Sequence, residues 1–263
     1  MLDLNKEFII TNDKIVSVRD FYNALAFLEI KKYDIVCVHS QIFSLGKPLV
    51  GKDEFMQIIV NVLQDIISTE GMLIMPTFTY SFCKNEIYDV YNSPSTVGIL
   101  TEYFRNLSDV LRTEHPIFSF ALWGDRKKLY SDIGLDAFGM DSVYGKMILD
   151  KGKLLMIGAD KGYTFYYLAE EYVNVKHRYF KNFQGSIRNK AGYTYSEIVP
   201  YFVRDLSKRS ELDENLLSDY LLENECQKKI DFGKGTLSVT DCNKAFYLLA
   251  CELGRDESRF LKE

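Results

Sequence analysis

The chain has 263 residues, 47% of them hydrophobic and 14% aromatic, and a net charge of −5. That length can bury a sizeable core, and the mildly acidic balance excludes the basic footprint of a nucleic-acid-binding protein, leaving small molecules as the natural ligands. Five cysteines (Cys37, Cys83, Cys226, Cys242, Cys251) are odd in number and form no CxxC, which fits reduced thiols rather than a disulfide or zinc framework.

The N-terminal MLDLNKEF has no basic region followed by an apolar stretch, and no run approaches the roughly 18 apolar residues of a membrane span. A soluble cytoplasmic protein without membrane partners is expected. KEFII predicts a short edge strand followed by a turn at TNDK. Ser17 then opens a helical pattern with Asp20 three residues on, in the manner of a capping box, and with Phe21, Leu25 and Leu28 on one face. YDIVCVHS (33–40) reads as a strand, 53–68 as an amphipathic helix and EGMLIMPTFTY as the next strand. This alternation predicts an α/β layered fold with a largely parallel sheet.

The connection 81–98 is longer than a typical loop, and such loops are more often functional than idle. After it come the helix GILTEYFRNL, the loop and strand RTEHPIFSFALWG, the strand KLLMIG and a helix over 165–174. The region 178–240 reads as short polar strands mixed with helices such as LDENLLSDYLLE, and DCNKAFYLLACELGRDESRFLKE as a closing amphipathic helix with a charged tail. No repeat or linker interrupts the pattern, so a single domain over 1–263 is expected.

Several strand ends carry polar residues. VCVHSQIFSLG ends a strand at His39 and Ser40 and continues into a loop with Ser44 and Gly46. Ligands of open α/β sheets collect at such carboxyl ends, where loop hydroxyls and N–H groups hold a phosphate or an acyl carbonyl. In MPTFTY, Thr77 and Thr79 could face the same crevice. In EHPIFS, the proline holds His115 extended, with Ser119 on the same face. YTFYYLAEE puts Tyr167 and Glu170 on one helical face and turns Glu171 away. Ordinary turn, core and strand roles fit each piece taken singly. No glycine-rich phosphate loop, metal-ligand spacing or GxSxG elbow is present, which leaves chemistry without a resident cofactor or metal, or with a diffusible carrier.

In their order through about 17–185, these segments resemble the aminoglycoside 3-N-acetyltransferase family, whose members move an acetyl group from acetyl-CoA to an amine. The resemblance implies an α/β layered fold with a central mixed sheet flanked by helices and a decorated C-terminal third. It implies acetyl-CoA contacts for His39, Ser40, Ser44, Leu45, Gly46, Thr77 and Thr79, although Gln41 stands where the family has a second serine. Glu102, His115 and Ser119 match positions that line or support the site, and Arg112 is followed by Thr113 where the family has serine. Family members often dimerise, so by analogy a homodimer is expected.

The family's T-x-x-H-x-x-E pattern supplies a histidine base oriented by a carboxylate. Thr164 and Glu170 match its ends, and Tyr167 replaces the histidine. Three accounts are open: an active enzyme with another base, His115 being the nearest candidate; a degenerate site that binds CoA or a partner without turnover; or a substitution introduced to trap a complex. The catalytic set expected is therefore Tyr167, Glu170, His115 and Glu102. The loop 81–92, with Tyr80, Tyr88, Tyr91, Glu86 and Asp89, is expected to frame the acceptor, with Ser119 beside it. Stacking aromatics there, and Arg188 and Lys190 within the basic segment 177–190, favour a nucleotide-linked amino-sugar of polysaccharide biosynthesis over a polycationic aminoglycoside.

Overall fold

The structure is a computed structural model and describes residues 2–12 and 14–263; Met1 and Asp13, the latter in the expected TNDK turn, lie outside the described residues. The first third contains β1 (Glu7–Ile10), β2 (Ile15–Ser17), α1 (Val18–Phe27), β3 (Ile35–Ser40), β4 (Lys47–Pro48), α2 (Lys52–Ile67) and β5 (Met72–Pro76). The middle contains β6 (Tyr88–Asp89), α3 (Ile99–Arg105), β7 (Leu111–Arg112), β8 (Phe120–Trp123), α4 (Lys127–Ser131), α5 (Val143–Leu149), β9 (Lys153–Ile157) and α6 (Tyr166–Val173). The last third contains β10 (Arg178–Arg188), β11 (Thr194–Arg204), α7 (Glu214–Glu223), β12 (Gln227–Phe232), β13 (Gly235–Asp241) and α8 (Cys242–Arg255).

Helix α1 starts where the capping box puts it: Ser17 Oγ accepts the Asp20 N–H at 3.3 Å and Asp20 Oδ2 accepts the Ser17 N–H at 2.8 Å. The main sheet has the order β12-β13-β9-β3-β5-β8-β7. Only β9, β3 and β5 run parallel, and β13 and β8 flank them antiparallel. The sheet is thus mixed rather than largely parallel, because hairpins extend the parallel trio on both sides.

Period-two alternation splits the core across this sheet. Cys37, Ile74 and Met156 face α5, α6 and α8 on one side, while Val38, Met75 and Ile157 face α1, α2 and α3 on the other. KEFII is not an edge strand: β1 sits between β2 and β4 in a small sheet of its own. The region 178–204 is also less fragmented than expected, since β10 and β11 pair along eleven residues each as one long hairpin that carries β6 on its side.

One glycine fixes how the loop after β3 meets the end of β9. Gly158 has φ 66°, and a Cβ there would lie 2.3 Å from Ser44 Oγ and 2.7 Å from the Gln41 carbonyl. Ser44 Oγ uses this closeness to donate to the Gly158 carbonyl at 2.6 Å. Gly158→Ala is expected to lower stability by about 2–3 kcal/mol in urea denaturation, through backbone strain and collision together. A change indistinguishable from zero would mean that the 41–45 loop moves aside freely.

Candidate functional site

Two cavities meet at the carboxyl ends of β3, β5 and β9. The first, about 280 Å³, is lined by His39, Ser40 and Gln41 at the end of β3, Pro76, Phe78 and Tyr80 at and beyond the end of β5, Val97 just before α3 and Thr101 within it, and Ala159, Lys161, Gly162 and Thr164 after β9. The second, about 430 Å³, is walled by Phe118, Tyr167, Tyr201 and Arg204 and by Glu211, Leu212, Asp213, Glu214 and Asn215 leading into α7, with Lys262 from the C-terminal segment. Tyr80, Lys161 and Thr164 line both, so the cavities abut at those three side chains. A depression of about 440 Å³ behind α3 and β7 lies away from the parallel strand ends; Arg105 and Lys127 in its wall are paired with Glu102 and Asp109.

Tyr80 marks the junction with an unusual backbone, φ 54°. Such a left-handed conformation costs a side-chain-bearing residue about 1–2 kcal/mol, and strain of this kind is concentrated at functional sites. Its ring packs edge-on to Phe118 at 5.5 Å, and Phe118 in turn meets Tyr201 at 4.9 Å.

Beneath Tyr167 lies a buried ionic cluster. Glu170 is 1% exposed. His177 Nε2 is 2.8 Å from Glu170 Oε1, and Arg178 Nε is 2.5 Å from Oε2 in an ion pair without hydrogen-bond alignment. Arg178 also donates to the Phe202 carbonyl at 3.1 Å, and its guanidinium carbon sits 4.1 Å from the centre of the Tyr167 ring. The chain reaches this arrangement because Asn174, with φ 58°, caps α6 in the left-handed region. The segment after it then doubles back, with the Val175 N–H bonded to the Glu170 carbonyl. Burial raises the Tyr167 phenol above its usual range, with Arg178 pulling the other way, so the side chain is a neutral phenol at pH 7.

His39 is buried at the floor of the first cavity, and burial pushes its pKa down to about 4, partly opposed by a hydrogen bond with the Gly162 backbone. Its Nε2 is 3.2 Å from the Tyr144 hydroxyl on α5. Tyr144 is fully buried.

Several residues expected in the site are committed elsewhere. His115 Nδ1 accepts the N–H groups of Ile117 and Phe118 at 3.2 and 3.0 Å, which leaves Nε2–H to donate to the Leu135 carbonyl at 3.1 Å. No lone pair remains for a substrate proton, so His115 is a structural residue and not a base. Glu102 takes both Arg105 Nε and Nη2 at 2.6 Å and the Ser95 N–H at 2.7 Å, fastening the 93–98 loop onto α3.

The proposed acceptor loop is likewise structural at its centre. Tyr88 is fully buried and donates to the Thr113 carbonyl, and Asp89 accepts the N–H groups of Tyr91 and Asn92 and pairs with Arg188. Of the expected acceptor set, Tyr80 alone lines the cleft. Ser119, Thr77 and Arg112 form one buried network: Ser119 Oγ donates to the Thr77 carbonyl at 2.7 Å, and Arg112 Nε reaches both hydroxyls. Thr79 Oγ1 donates to the Pro116 carbonyl.

Of the residues the resemblance assigns to acetyl-CoA, His39 and Ser40 lie in the cavity wall. Ser44 donates to the Gln41 and Gly158 carbonyls, the Leu45 carbonyl accepts the Lys234 N–H, and Gly46 presses against Ile9 and Ile10 of β1. Residues the sequence did not point to are Tyr144, Tyr201, Lys161, Arg204 and the acids ahead of α7. His177 and Arg178 were visible only as part of a basic segment and not as partners of Glu170.

A crevice over parallel strand ends, holding two cavities that share a wall, is where an open α/β sheet takes its ligands. The family model described as aminoglycoside 3-N-acetyltransferase matches residues 37–250, and the chain belongs to that family. A curated relative, the SPbeta prophage-derived aminoglycoside N(3')-acetyltransferase-like protein YokD of Bacillus subtilis (strain 168), is 30% identical over an alignment of 171 residues that covers 56% of this chain and 61% of that protein's length. Among solved structures, aminoglycoside acetyltransferase AAC(3)-Xa aligns with TM-score 0.80 at 18% identity, covering 91% of this chain and 93% of its own. AAC-IIIb in a binary complex with CoASH aligns with TM-score 0.77 at 20% identity, covering 93% and 97%. These two likenesses are of fold.

Glu170→Gln would leave the Arg178 charge buried without a counter-charge, so it is expected to destabilise the chain by about 3–5 kcal/mol in denaturant unfolding. His115 and His39 are held neutral in the fold, so the unfolded chain binds more protons below about pH 6.5. Their contribution is therefore whole above that pH and is lost as pH falls towards about 4. His115→Asn, which keeps an acceptor near the two N–H groups, should make the slope of unfolding free energy shallower between those pH values.

Proposed function

We propose that the chain transfers the acetyl group of acetyl-CoA to a primary amine of an aminoglycoside or closely related amino-sugar. The observation that carries this reading is the wall shared by the two cavities: a thioester arm in the first and an amine in the second would meet at Tyr80, Lys161 and Thr164. The first cavity suits an extended arm, with apolar Pro76, Phe78, Val97 and Ala159 along it and polar Ser40 and Gln41 at the end of β3. The second offers aromatic rings for the face of a sugar and, for its amines, the second oxygens of Glu211, Asp213 and Glu214, whose first oxygens hold Lys262, the Asn215 and Leu216 N–H groups and the Gly162 N–H respectively.

The nucleotide-linked amino-sugar favoured by the sequence loses its support here. Tyr88 and Asp89, on which it leaned, are tied into the fold, and Arg188 is paired with Asp89. The family description and the names of the relatives favour the aminoglycoside.

An amine attacks the thioester only in its neutral form. Tyr167, standing where the family has a histidine, is a neutral phenol and takes no proton at pH 7. Amines of sugars flanked by hydroxyls have lowered pKa values and are partly neutral already, so the acceptor itself meets part of this requirement. Release of CoA thiol should follow the addition of aminoglycosides, and kcat/KM for the acceptor should rise about tenfold per pH unit until the amine's own pKa is reached, since His39 and His115 stay neutral above about pH 5. Turnover confined to a nucleotide-linked amino-sugar would return the first reading, and tight CoA binding with no turnover would favour a binding module.

Tyr167→His alone is expected to raise kcat by less than about tenfold, short of the 10²–10⁴ that a positioned base contributes. The carboxylate that would orient the new imidazole is already held by His177 and Arg178. A gain of several hundredfold would mean that Glu170 is released easily.

A further inference from the structure

Tyr80 is held in an unfavourable backbone conformation in the wall that both cavities share. Its φ of 54° persists because the residues on either side are tied down: the Thr79 N–H donates to the Ile117 carbonyl at 3.2 Å, the Ser81 N–H to the Pro116 carbonyl at 3.1 Å, and the Ser81 hydroxyl to Thr79 Oγ1 at 2.9 Å. The ring is set edge-on to Phe78 at 6.3 Å and to Phe118 at 5.5 Å. The hydroxyl at its tip has no hydrogen-bond partner among the described residues, and it is not sealed into the core.

Resting on the acetyl-transfer reading, we infer that the Tyr80 phenol is the hydrogen-bond donor that stabilises the oxyanion formed on the thioester carbonyl. The amine lone pair bonds the carbonyl carbon, and the carbon–oxygen π pair moves onto the oxygen, which accepts the Tyr80 O–H without taking its proton. When that pair returns, the carbon–sulfur bond breaks with its electrons on sulfur. The amine's surplus proton passes to solvent water and a proton from water reaches the thiolate, leaving the amide and free CoA thiol.

Oxyanion stabilisation depends on a donor that is in place before the reaction begins. Of the other side chains in the shared wall, Lys161 is exposed on a flexible stem and Thr164 carries a hydroxyl that rotates about its own bond. Tyr80 is instead fixed by its tethered backbone and by two phenylalanine rings. Burial pushes its phenol well above the usual tyrosine range, so it keeps its proton and donates at any working pH. Tyr167 and Tyr201 line the second cavity alone, on the side of the amine. The backbone strain at Tyr80 is then the cost of placing a rigid neutral donor where the two reactants meet.

Tyr80→Phe removes the donor and keeps the ring, its packing and the backbone preference of the residue. In kinetics with acetyl-CoA and an aminoglycoside it should lower kcat about 10²-fold with the acetyl-CoA KM within about twofold. Thermal unfolding should be unchanged, because the hydroxyl bonds nothing in the chain. Infrared spectra of bound acetyl-CoA carrying ¹³C at the carbonyl give a readout that needs no turnover: the thioester carbonyl band should lie at lower frequency in the unsubstituted chain than in Tyr80→Phe. An unchanged kcat, a loss confined to KM, or a band that stays in place overturns the assignment of Tyr80. No turnover by the unsubstituted chain with any amine, alongside a band that moves, overturns the acetyl-transfer reading and with it the catalytic use of the phenol, while its contact with the thioester stands.

Discussion

A carboxylate with 1% exposure cannot remain uncompensated, and much of the site follows from how Glu170 is satisfied. His177 and Arg178 close on its two oxygens. That contact pins the start of the long β10–β11 hairpin to the side of α6. The hairpin in turn brings Tyr201 and Arg204 to the second cavity and lays the Arg178 guanidinium against the Tyr167 ring. With a cation over one face of the ring and Phe138 edge-on at 5.6 Å, the tyrosine is held as a wall of the cleft. One buried acid thus sets the position of a secondary-structure element, the shape of a cavity and the chemical character of residue 167.

A second buried charge explains why polar strand ends do not all become ligand groups. Arg112 is 4% exposed and directs its donors at the Thr77 hydroxyl and carbonyl, the Ser119 hydroxyl, and the Val90 and Ser93 carbonyls. Each of those acceptors is drawn inward. Thr77 and Ser119 therefore brace the segment 112–120 against the end of β5, and the crevice wall is left to Pro76, Phe78 and Tyr80. The same reasoning applies to the 44–46 loop, whose hydroxyl and carbonyl groups fasten it to β9 and to the β12–β13 hairpin.

Signals carried within a few residues are legible in the sequence. The Ser17 box, the amphipathic stretch of α2 and the apolar runs of β3, β5 and β9 each announce themselves within a few residues, and their order carried the family resemblance. Features set by contacts distant in sequence are not legible there. KEFII looks like an edge strand until β4 pairs with its free side. The threonines and serines at strand ends look like ligand groups until an arginine 35 residues from Thr77 claims them. Tyr88 and Asp89 look like an acceptor wall until β10, about a hundred residues on, pairs with them. Glu170 and His177 are seven apart, which on a continuous helix would be two turns. They meet only because Asn174 ends the helix and turns the chain back, an event that periodicity does not encode.

A tyrosine at position 167 is compatible with the proposed acetyl transfer, as a comparison of magnitudes shows. A positioned base supplies about 10²–10⁴ in rate, or roughly 3–5 kcal/mol. Holding two reactants in attacking geometry can supply about 7–11 kcal/mol. The larger contribution belongs to whatever fixes the meeting point of the two cavities, and here the fold accepts backbone strain to fix it: Tyr80 at φ 54° sits where they join. Glycine at that position would relieve the strain and also remove the ring that packs on Phe118 and separates the two spaces. A tyrosine retained in a conformation that disfavours it is therefore best understood as part of the geometry that joins the two cavities, where the proposed thioester and amine would meet, and residue 167 as a wall of that same space.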